Sequence, residues 1–197
     1  VQKVLNAGKS VVLAEQVGEP TPGKGIMERK VSRIVTPGTV LDNSLLEPKE
    51  TKYLCSIYER NKNIEIAWVN FASGEIWCSK TTQEKVLETI LKIAPAEILI
   101  SSKQIGKIPL PKDIAVSIID EWEYDLVTAQ SIMANIWEEH YLFKFGLPDK
   151  NCTATIVSLI NYLKSTQGTE IRHIQNIRWF RSEDFLQVDN TSKQHLE

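Results

Sequence analysis

The stretch YLCSIYERNKNIEIAWVNFASGEIWCSKT, residues 53–81, decides the fold. It contains three runs rich in β-branched and aromatic residues, namely YLCSIYER, IEIAWVN and EIWCSKT. Runs of this composition and length are typical of β-strands. They are separated by Asn61-Lys62-Asn63 and by Ala72-Ser73-Gly74, and both separators suit tight turns. The stretch therefore predicts an antiparallel meander of three strands.

Helices and further strands are predicted after the meander. Apolar stripes with helical spacing predict helices at 83–94, 123–142 and 152–166, the second with Leu126, Ala129, Met133, Ile136 and Trp137 on its apolar face. Short apolar runs predict strands at 97–100 and 114–119, and one or two more within 176–188. A meander that leads into helix–strand units predicts an α/β domain from about residue 50 to residue 180.

The residues before the meander have a different character. A helix end at 1–7 is followed by a predicted buried strand at 10–17, a Gly/Pro loop and the basic strand ERKVSRIV, which stops at Thr36-Pro37-Gly38-Thr39. We predict that residues 1–35 are the tail of a preceding domain and 36–50 a linker. Residues 51–180 form the α/β domain, and 181–197 enter a following domain.

Composition limits the possible functions. The 197 residues carry a net charge of −2, so any contact with DNA must come from a local basic patch. Cys55, Cys78 and Cys152 are widely spaced, which argues against a disulfide framework or a zinc site and favours a reducing compartment. We find no signal peptide and no apolar run of membrane-spanning length. The chain begins at Val1 in what reads as a helix already under way, so we expect a segment of a longer protein.

Two motifs that suggest chemistry are weak. Gly8-Lys9-Ser10 ends like a phosphate-binding P-loop, but the first glycine of that motif would fall at Lys3, and a strand follows the motif where a helix is needed. A plain turn is the better interpretation. The three histidines (His140, His173 and His195) lack the spacing of metal ligands. We therefore expect no metal site in this segment.

A ribonuclease-H-like nuclease is a sharper alternative, because a meander followed by helices and strands suits that fold. Its chemistry needs several carboxylates that converge on metal ions. The candidates are Glu59, Glu65, Glu75, Asp120, Glu121, Glu123 and Asp125. We predict that they are solvated carboxylates at strand ends and at a helix start, and that the segment is not an enzyme.

The basic strand offers a second alternative, a modest DNA-binding module. Lys24, Arg29, Lys30 and Arg33 fall within ten residues. Such cations either protect an exposed strand edge or contact the phosphates of DNA, which they position without reading bases. Binding of the second kind weakens steeply with salt because counterions are released. The sequence pattern alone leaves both interpretations open.

Longer motifs carry a resemblance. AEQVGEPTPGKGIMERKVSRIVTPGT, residues 14–39, closely resembles the end of the mismatch-recognition domain in the MutS family of DNA mismatch-repair proteins. The resemblance continues more thinly along the chain, at Ser73-Gly74, 95–99 (PAEIL), Trp122-Glu123, Phe145-Gly146, His173-Ile174 and Leu196-Glu197. Residues 190–195 and Asn70 depart from the family pattern, and Glu19 replaces its usual Asp. These departures indicate a diverged member.

The resemblance implies a fold and a set of partners. Residues 1–35 would end the α+β mismatch-recognition domain, and 51–180 would be the connector domain, which is ribonuclease-H-like with a mixed sheet and flanking helices but has no nuclease activity. The connector couples recognition to the lever and ATPase domains and helps to dock MutL, for which Glu138, Glu139 and His140 are our candidate contacts. No Phe-x-Glu motif and no Walker A motif occurs in the chain. Mismatch insertion and ATP with Mg would therefore belong to other parts of a homodimeric, bacterial-type cytoplasmic parent.

Overall fold

The computed structural model describes residues 1–16, 29–40, 52–167 and 173–181. Several predicted features lie outside the described residues: the Gly/Pro loop with Lys24, most of the predicted linker, and the predicted entry to a following domain. Within the described parts, the protein has helices on both faces of one large sheet, and a smaller strand pair precedes it.

The chain begins with helix α1 (Gln2–Asn6) and with the strands β1 (Val11–Gln16) and β2 (Arg29–Val35). The two strands pair antiparallel. Leu5, Val35 and Val40 form a small core, against which Val11 and Leu13 pack. The helix and both strands were predicted from the sequence, and the structure confirms them.

Strand β1 is less buried than the sequence suggested. Val12 is 57% exposed, and only the alternate residues Val11 and Leu13 are half-buried. A two-stranded sheet that packs on one face can bury only every second side chain. The strand predicted over residues 10–17 is thus present at Val11–Gln16, but its predicted burial is wrong.

The predicted meander is present as β3 (Leu54–Arg60), β4 (Asn63–Asn70) and β5 (Glu75–Thr81). The strands pair antiparallel in sequence order. Asn61 and Lys62 form the first turn with φ values of 52° and 65°, because a two-residue hairpin whose twist matches its strands requires the left-handed region at both positions. The turn chemistry thus sets the register of the central strands.

Three parallel pairings complete a six-stranded mixed sheet. The added strands are β6 (Glu97–Ser101), β7 (Ala115–Ile119) and β8 (Asn176–Trp179). The strand order is β7-β6-β3-β4-β5-β8, with β6 parallel to β3, β7 parallel to β6, and β8 parallel to β5. This arrangement confirms the α/β class.

Helices cover both faces of the sheet. They are α2 (Val86–Ile93), α3 (Leu126–Trp137), α4 (Tyr141–Lys144) and α5 (Thr153–Gln167). Helix α2 packs in a core with Ile57, Ile64 and Ile66, whereas α3 and α5 pack on the opposite face with Leu54 and Val69. None of the helices in the described part of the chain has the length and apolar character needed to cross a membrane.

The long helix predicted over 123–142 is wrong. A 3₁₀ turn over Glu121–Tyr124 comes first, and Asp125 then starts α3 by accepting a hydrogen bond from the Thr128 amide at 2.8 Å. Helix α3 ends at Trp137 because Glu138 takes a φ of 70°, and the short α4 follows. The buried residues of α3 are Ala129, Met133 and Trp137. Ile136, which was predicted on the apolar face, is 42% exposed.

The turn between β4 and β5 packs closely against a distant residue. Gly74 has a φ of 71°, and a Cβ added to it would lie 2.3 Å from the carbonyl oxygen of His173. The His173 ring also bonds the carbonyl oxygen of Phe71 at 2.9 Å. This approach of two backbones requires glycine, since any side chain would push them apart.

We predict that Gly74→Ala destabilises the protein by about 3 kcal/mol, because it adds a steric clash to the cost of a left-handed alanine. Gly106→Ala is the matched control. Gly106 has a φ of 80° with nothing within 4 Å of an added Cβ. It should therefore lose only about 1 kcal/mol. Urea unfolding of both variants measures the difference, and equal losses would show that the His173 contact is unimportant.

Candidate functional site

The residues Thr36-Pro37-Gly38-Thr39, hereafter the TPGT turn, form a compact buried unit after β2. The Thr36 amide donates to Thr39 Oγ1 at 3.0 Å, and the Thr39 amide donates to the Thr36 carbonyl oxygen at 3.1 Å. The two hydroxyl oxygens lie 2.9 Å apart. The turn therefore satisfies much of its own hydrogen bonding, although both threonines are almost completely buried.

Glu97 receives this turn at the start of β6. Its side chain is 0% exposed. Oε2 accepts a hydrogen bond from the Gly38 amide at 2.9 Å, and Oε1 accepts from Ser117 Oγ and from Tyr162 Oη, each at 2.6 Å. Burial, and then the charge of Glu97, raise the pKa of Tyr162, so its hydroxyl stays protonated and remains a donor. Three uncharged donors thus surround one buried carboxylate.

Glycine is the only residue type that fits position 38 without displacement of the neighbouring side chains. A Cβ added to Gly38 would lie 2.9 Å from Leu54 Cδ1 and 3.0 Å from Glu97 Cβ. A second contact supports the strand itself, because Gln167 Nε2 donates to the Ile34 carbonyl oxygen at 3.1 Å. The N-terminal strand pair is thus held to the large sheet by a turn and to helix α5 by an amide.

Of the predicted DNA contacts, Arg29, Lys30 and Arg33 lie in the described part of the chain, where they are exposed but do not form one surface. The register of β1 and β2 shifts by one residue midway along the pair. This bulge places Lys30 and Arg33 on one face and Arg29 on the other. Glu15 lies opposite Lys30, and Lys24 lies outside the described residues. The proposed role of these cations stays a prediction.

The predicted docking residues Glu138, Glu139 and His140 lie together, exposed, in the break between α3 and α4. Glu138 combines a φ of 70° with a ψ of 168°, a backbone conformation that residues with a side chain rarely adopt. Phe143 follows on α4 and is 93% exposed. A groove of about 620 Å³ adjoins the end of α4, lined by residues that include Lys144, Phe145, Arg178, Trp179 and Arg181.

The carboxylates considered for nuclease chemistry do not converge. Most of them bond protein groups: Glu65 with Arg60, Glu75 with Arg178, Asp120 with Trp122, Glu121 with Tyr58 and Ser101, Glu123 with Asn161, and Asp125 with Thr128. Among the described ranges, no group of three or more His, Cys, Asp or Glu side chains is placed to hold a metal ion. Most of these side chains therefore take part in structural ion pairs or hydrogen bonds.

Sequence reasoning missed Glu97 as a site residue. A signal was present, since the charged Glu97 stands directly before the apolar run Ile98-Leu99-Ile100. A buried carboxylate requires donors, so its position at a strand start suggested a polar contact there. Its donors could not be named, because Gly38, Ser117 and Tyr162 are all distant from it in sequence.

Comparisons of the sequence with known proteins identify the family of the chain. The model of MutS domain II matches residues 52–175, and that of MutS domain I matches residues 1–44. The chain belongs to the MutS family. The TPGT turn lies in the region matched by MutS domain I and Glu97 in the region matched by domain II, so their hydrogen bond joins the two matched regions.

Curated relatives match the whole chain. It is 34% identical over 201 residues to the DNA mismatch repair protein MutS of Clostridioides difficile (strain 630). The aligned region covers 100% of the chain and 21% of that protein. The chain is 32% identical over 210 residues to the DNA mismatch repair protein MutS of Syntrophomonas wolfei, an alignment that covers 99% of the chain and 24% of that protein. It is 30% identical over 206 residues to the DNA mismatch repair protein MutS of Protochlamydia amoebophila, with 100% of the chain and 24% of that protein covered. The chain thus spans between about a fifth and a quarter of the length of these relatives.

A second buried carboxylate, Glu65, lies near the opposite ends of the same central strands. It is 1% exposed and lies opposite Tyr58 on β3 and Lys80 on β5. Its Oε1 is 3.3 Å from Arg60 Nε, and none of the described groups donates a hydrogen bond to Oε2. Burial outweighs the attraction of Arg60 and Lys80 and raises the pKa of Glu65 to about 7.

We predict that Glu65 makes the stability of this MutS segment pH-dependent. The folded state binds the proton more tightly than the unfolded state, whose carboxyl has the ordinary pKa of about 4.3. The stabilising effect of protonation is complete below that value and is lost as the pH rises through about 7. The unfolding free energy of wild type should therefore fall, relative to that of Glu65→Gln, between pH 5 and pH 8.

Urea unfolding at the two pH values measures this effect. Glu59→Gln is the control, since it removes a half-buried carboxylate from the same end of β3. Parallel pH dependence of wild type and Glu65→Gln would contradict the prediction.

Proposed function

We propose that this chain is the non-catalytic connector of a MutS DNA mismatch-repair protein, with a ribonuclease-H-like fold, and that it couples mismatch recognition to the ATPase. The observation that carries the proposal is the buried hydrogen bond between the Gly38 amide and Glu97 Oε2. It ties the region matched by MutS domain I directly to the central sheet of the region matched by domain II. Movement of one region would therefore displace atoms of the other.

The strand pair is held at two points, which supports a mechanical role. The first point is the TPGT turn on Glu97, and the second is the amide of Gln167 on the Ile34 carbonyl. Strand β6 and the buried helix α5 receive these two contacts. Both elements belong to the densely packed interior, which deforms little and transmits displacement.

The proposal assigns no reaction to this segment. Several of its carboxylates take part in structural contacts, such as the ion pairs of Glu65 with Arg60 and of Glu75 with Arg178. ATP and Mg would bind elsewhere in the parent, which we propose to be a homodimer in a bacterial-type cytoplasm. Mismatched duplex DNA would be bound by the parent, with Arg29, Lys30 and Arg33 as accessory phosphate contacts.

The segment would also help to dock MutL. The candidate surface is the break between α3 and α4, with Glu138, Glu139 and His140 exposed and Phe143 beside them. An exposed aromatic residue with polar neighbours suits a protein interface, in which aromatic anchors contribute much of the affinity. The unusual backbone of Glu138 supports the same location, since strained conformations cluster at functional sites.

Coupling predicts that ATP hydrolysis by the full-length parent depends on the state of the DNA. The steady-state rate should differ between a duplex with one mismatch and the matched duplex of otherwise identical sequence. The measurement needs saturating amounts of both duplexes, so that differences in affinity do not contribute. Identical rates with the two duplexes would contradict the coupling role.

Docking predicts that Glu139→Lys in the full-length parent weakens MutL binding by tenfold or more, about 1.4 kcal/mol, because it reverses a charge within the proposed surface. Glu88→Lys is the matched control. Glu88 is exposed on α2, which packs against the opposite face of the sheet. Binding is measured on mismatched DNA with ATP present. Equal affinity of Glu139→Lys and Glu88→Lys for MutL would reject this surface.

A further inference from the structure

Two strands of the large sheet, helix α5 and the TPGT turn meet at one side chain. Glu97 begins β6, Ser117 lies on β7, and Tyr162 lies on α5. We propose that Glu97 is the positioning residue of the connector, whose carboxylate locks the TPGT turn in place so that displacement of the strand pair reaches the sheet. This inference rests on the proposed coupling function and assigns that function to one side chain.

The two oxygens of Glu97 have separate tasks. Oε1 accepts from Ser117 and Tyr162, whose own oxygen atoms lie 3.4 Å apart, so the carboxylate is fixed from the side of the sheet. Oε2 is directed to the Gly38 amide. The carboxylate is thus held in position before the turn binds, and binding needs little further ordering of its side chain.

The turn is able to leave this contact as a folded unit. Its bonds between Thr36 and Thr39 are internal, and they do not depend on Glu97. Loss of the Gly38–Glu97 bond would therefore release the turn without unfolding it. Docked and released states of the turn would differ by this buried hydrogen bond and by the exposure of its two buried threonines, and transmission between distant sites requires such a two-state element.

The position of the turn explains why its release would be felt across the sheet. Glu97 pairs with Leu54 on one side and with Ala115 on the other, at the first residues of β6, β3 and β7. Gly38 lies against both Leu54 and Glu97. The turn thus caps the starting ends of adjacent parallel strands, and its displacement would affect them together.

The test uses full-length parent protein with substitutions on both sides of the contact. Glu97→Ala removes the acceptor, and Gly38→Ala inserts a methyl group into the 3.0 Å approach to Glu97 Cβ. Each should strongly reduce, without abolishing, the difference in ATP hydrolysis between mismatched and matched duplexes. Affinity for the mismatched duplex and hydrolysis without DNA should stay at wild-type values, a separation that general destabilisation would not produce.

Two further variants sharpen the result. The double variant should lose no more of the difference than either single variant, because both break the same contact. Glu97→Gln should retain part of it, since its amide oxygen still accepts from Gly38 and its NH₂ group can donate to the hydroxyl oxygens of Ser117 and Tyr162. If Glu97→Ala fails to fold, then Gly38→Ala and Glu97→Gln carry the test.

Wild-type mismatch dependence in both single variants would overturn the proposal, as would losses that add in the double variant. A wild-type parent whose hydrolysis ignores the mismatch is a different result. It would remove the proposed coupling function itself, whatever the variants do.

Discussion

Leaving a buried carboxyl group without hydrogen-bond donors costs free energy, and at Glu97 one of the donors comes from the N-terminal region. An ionised or hydrogen-bonding group without partners in the interior costs several kcal/mol. The protein supplies these donors with two hydroxyls from the region matched by MutS domain II and with one backbone amide from the region matched by MutS domain I. The outside donor, Gly38, therefore links the burial of Glu97 to the docking of the strand pair.

This dependence determines what the neighbouring positions can be. A side chain at position 38 would force Leu54 and Glu97 to shift, because atoms of both lie within 3.1 Å of where a Cβ would stand. The threonines on either side of Pro37 and Gly38 must bond each other because the turn is buried with its polar groups. The contacts of Thr36, Gly38 and Thr39 thus account for three of the four residues of the TPGT turn.

The sequence predicted the elements that local chemistry determines. The meander followed from its turns, and Asn61-Lys62 takes the left-handed conformation such turns need. The prediction of one helix over 123–142 was wrong. Its apolar spacing extends past Asp125 and Glu138, but the backbone at these two residues is not helical. The split of Arg29 from Lys30 and Arg33 could not be predicted either, since a bulge arises from the pairing of two strands rather than from one. The hydrogen-bond donors to Glu97 could not be predicted for a similar reason, because three separate parts of the chain contribute them.

Comparison of the two buried carboxylates shows why only one of them suits a mechanical role. Glu65 and Glu97 are equally inaccessible, yet Glu65 has one ion pair at 3.3 Å and a raised pKa, whereas Glu97 has donors on both oxygens. The partner of Glu65, Arg60, is five residues away, so that pair forms within one hairpin and reports only on its own surroundings. The Gly38 partner of Glu97 is 59 residues away and belongs to the other matched region. A contact transmits force between two regions only if it spans them, and Glu97 meets that condition while Glu65 does not.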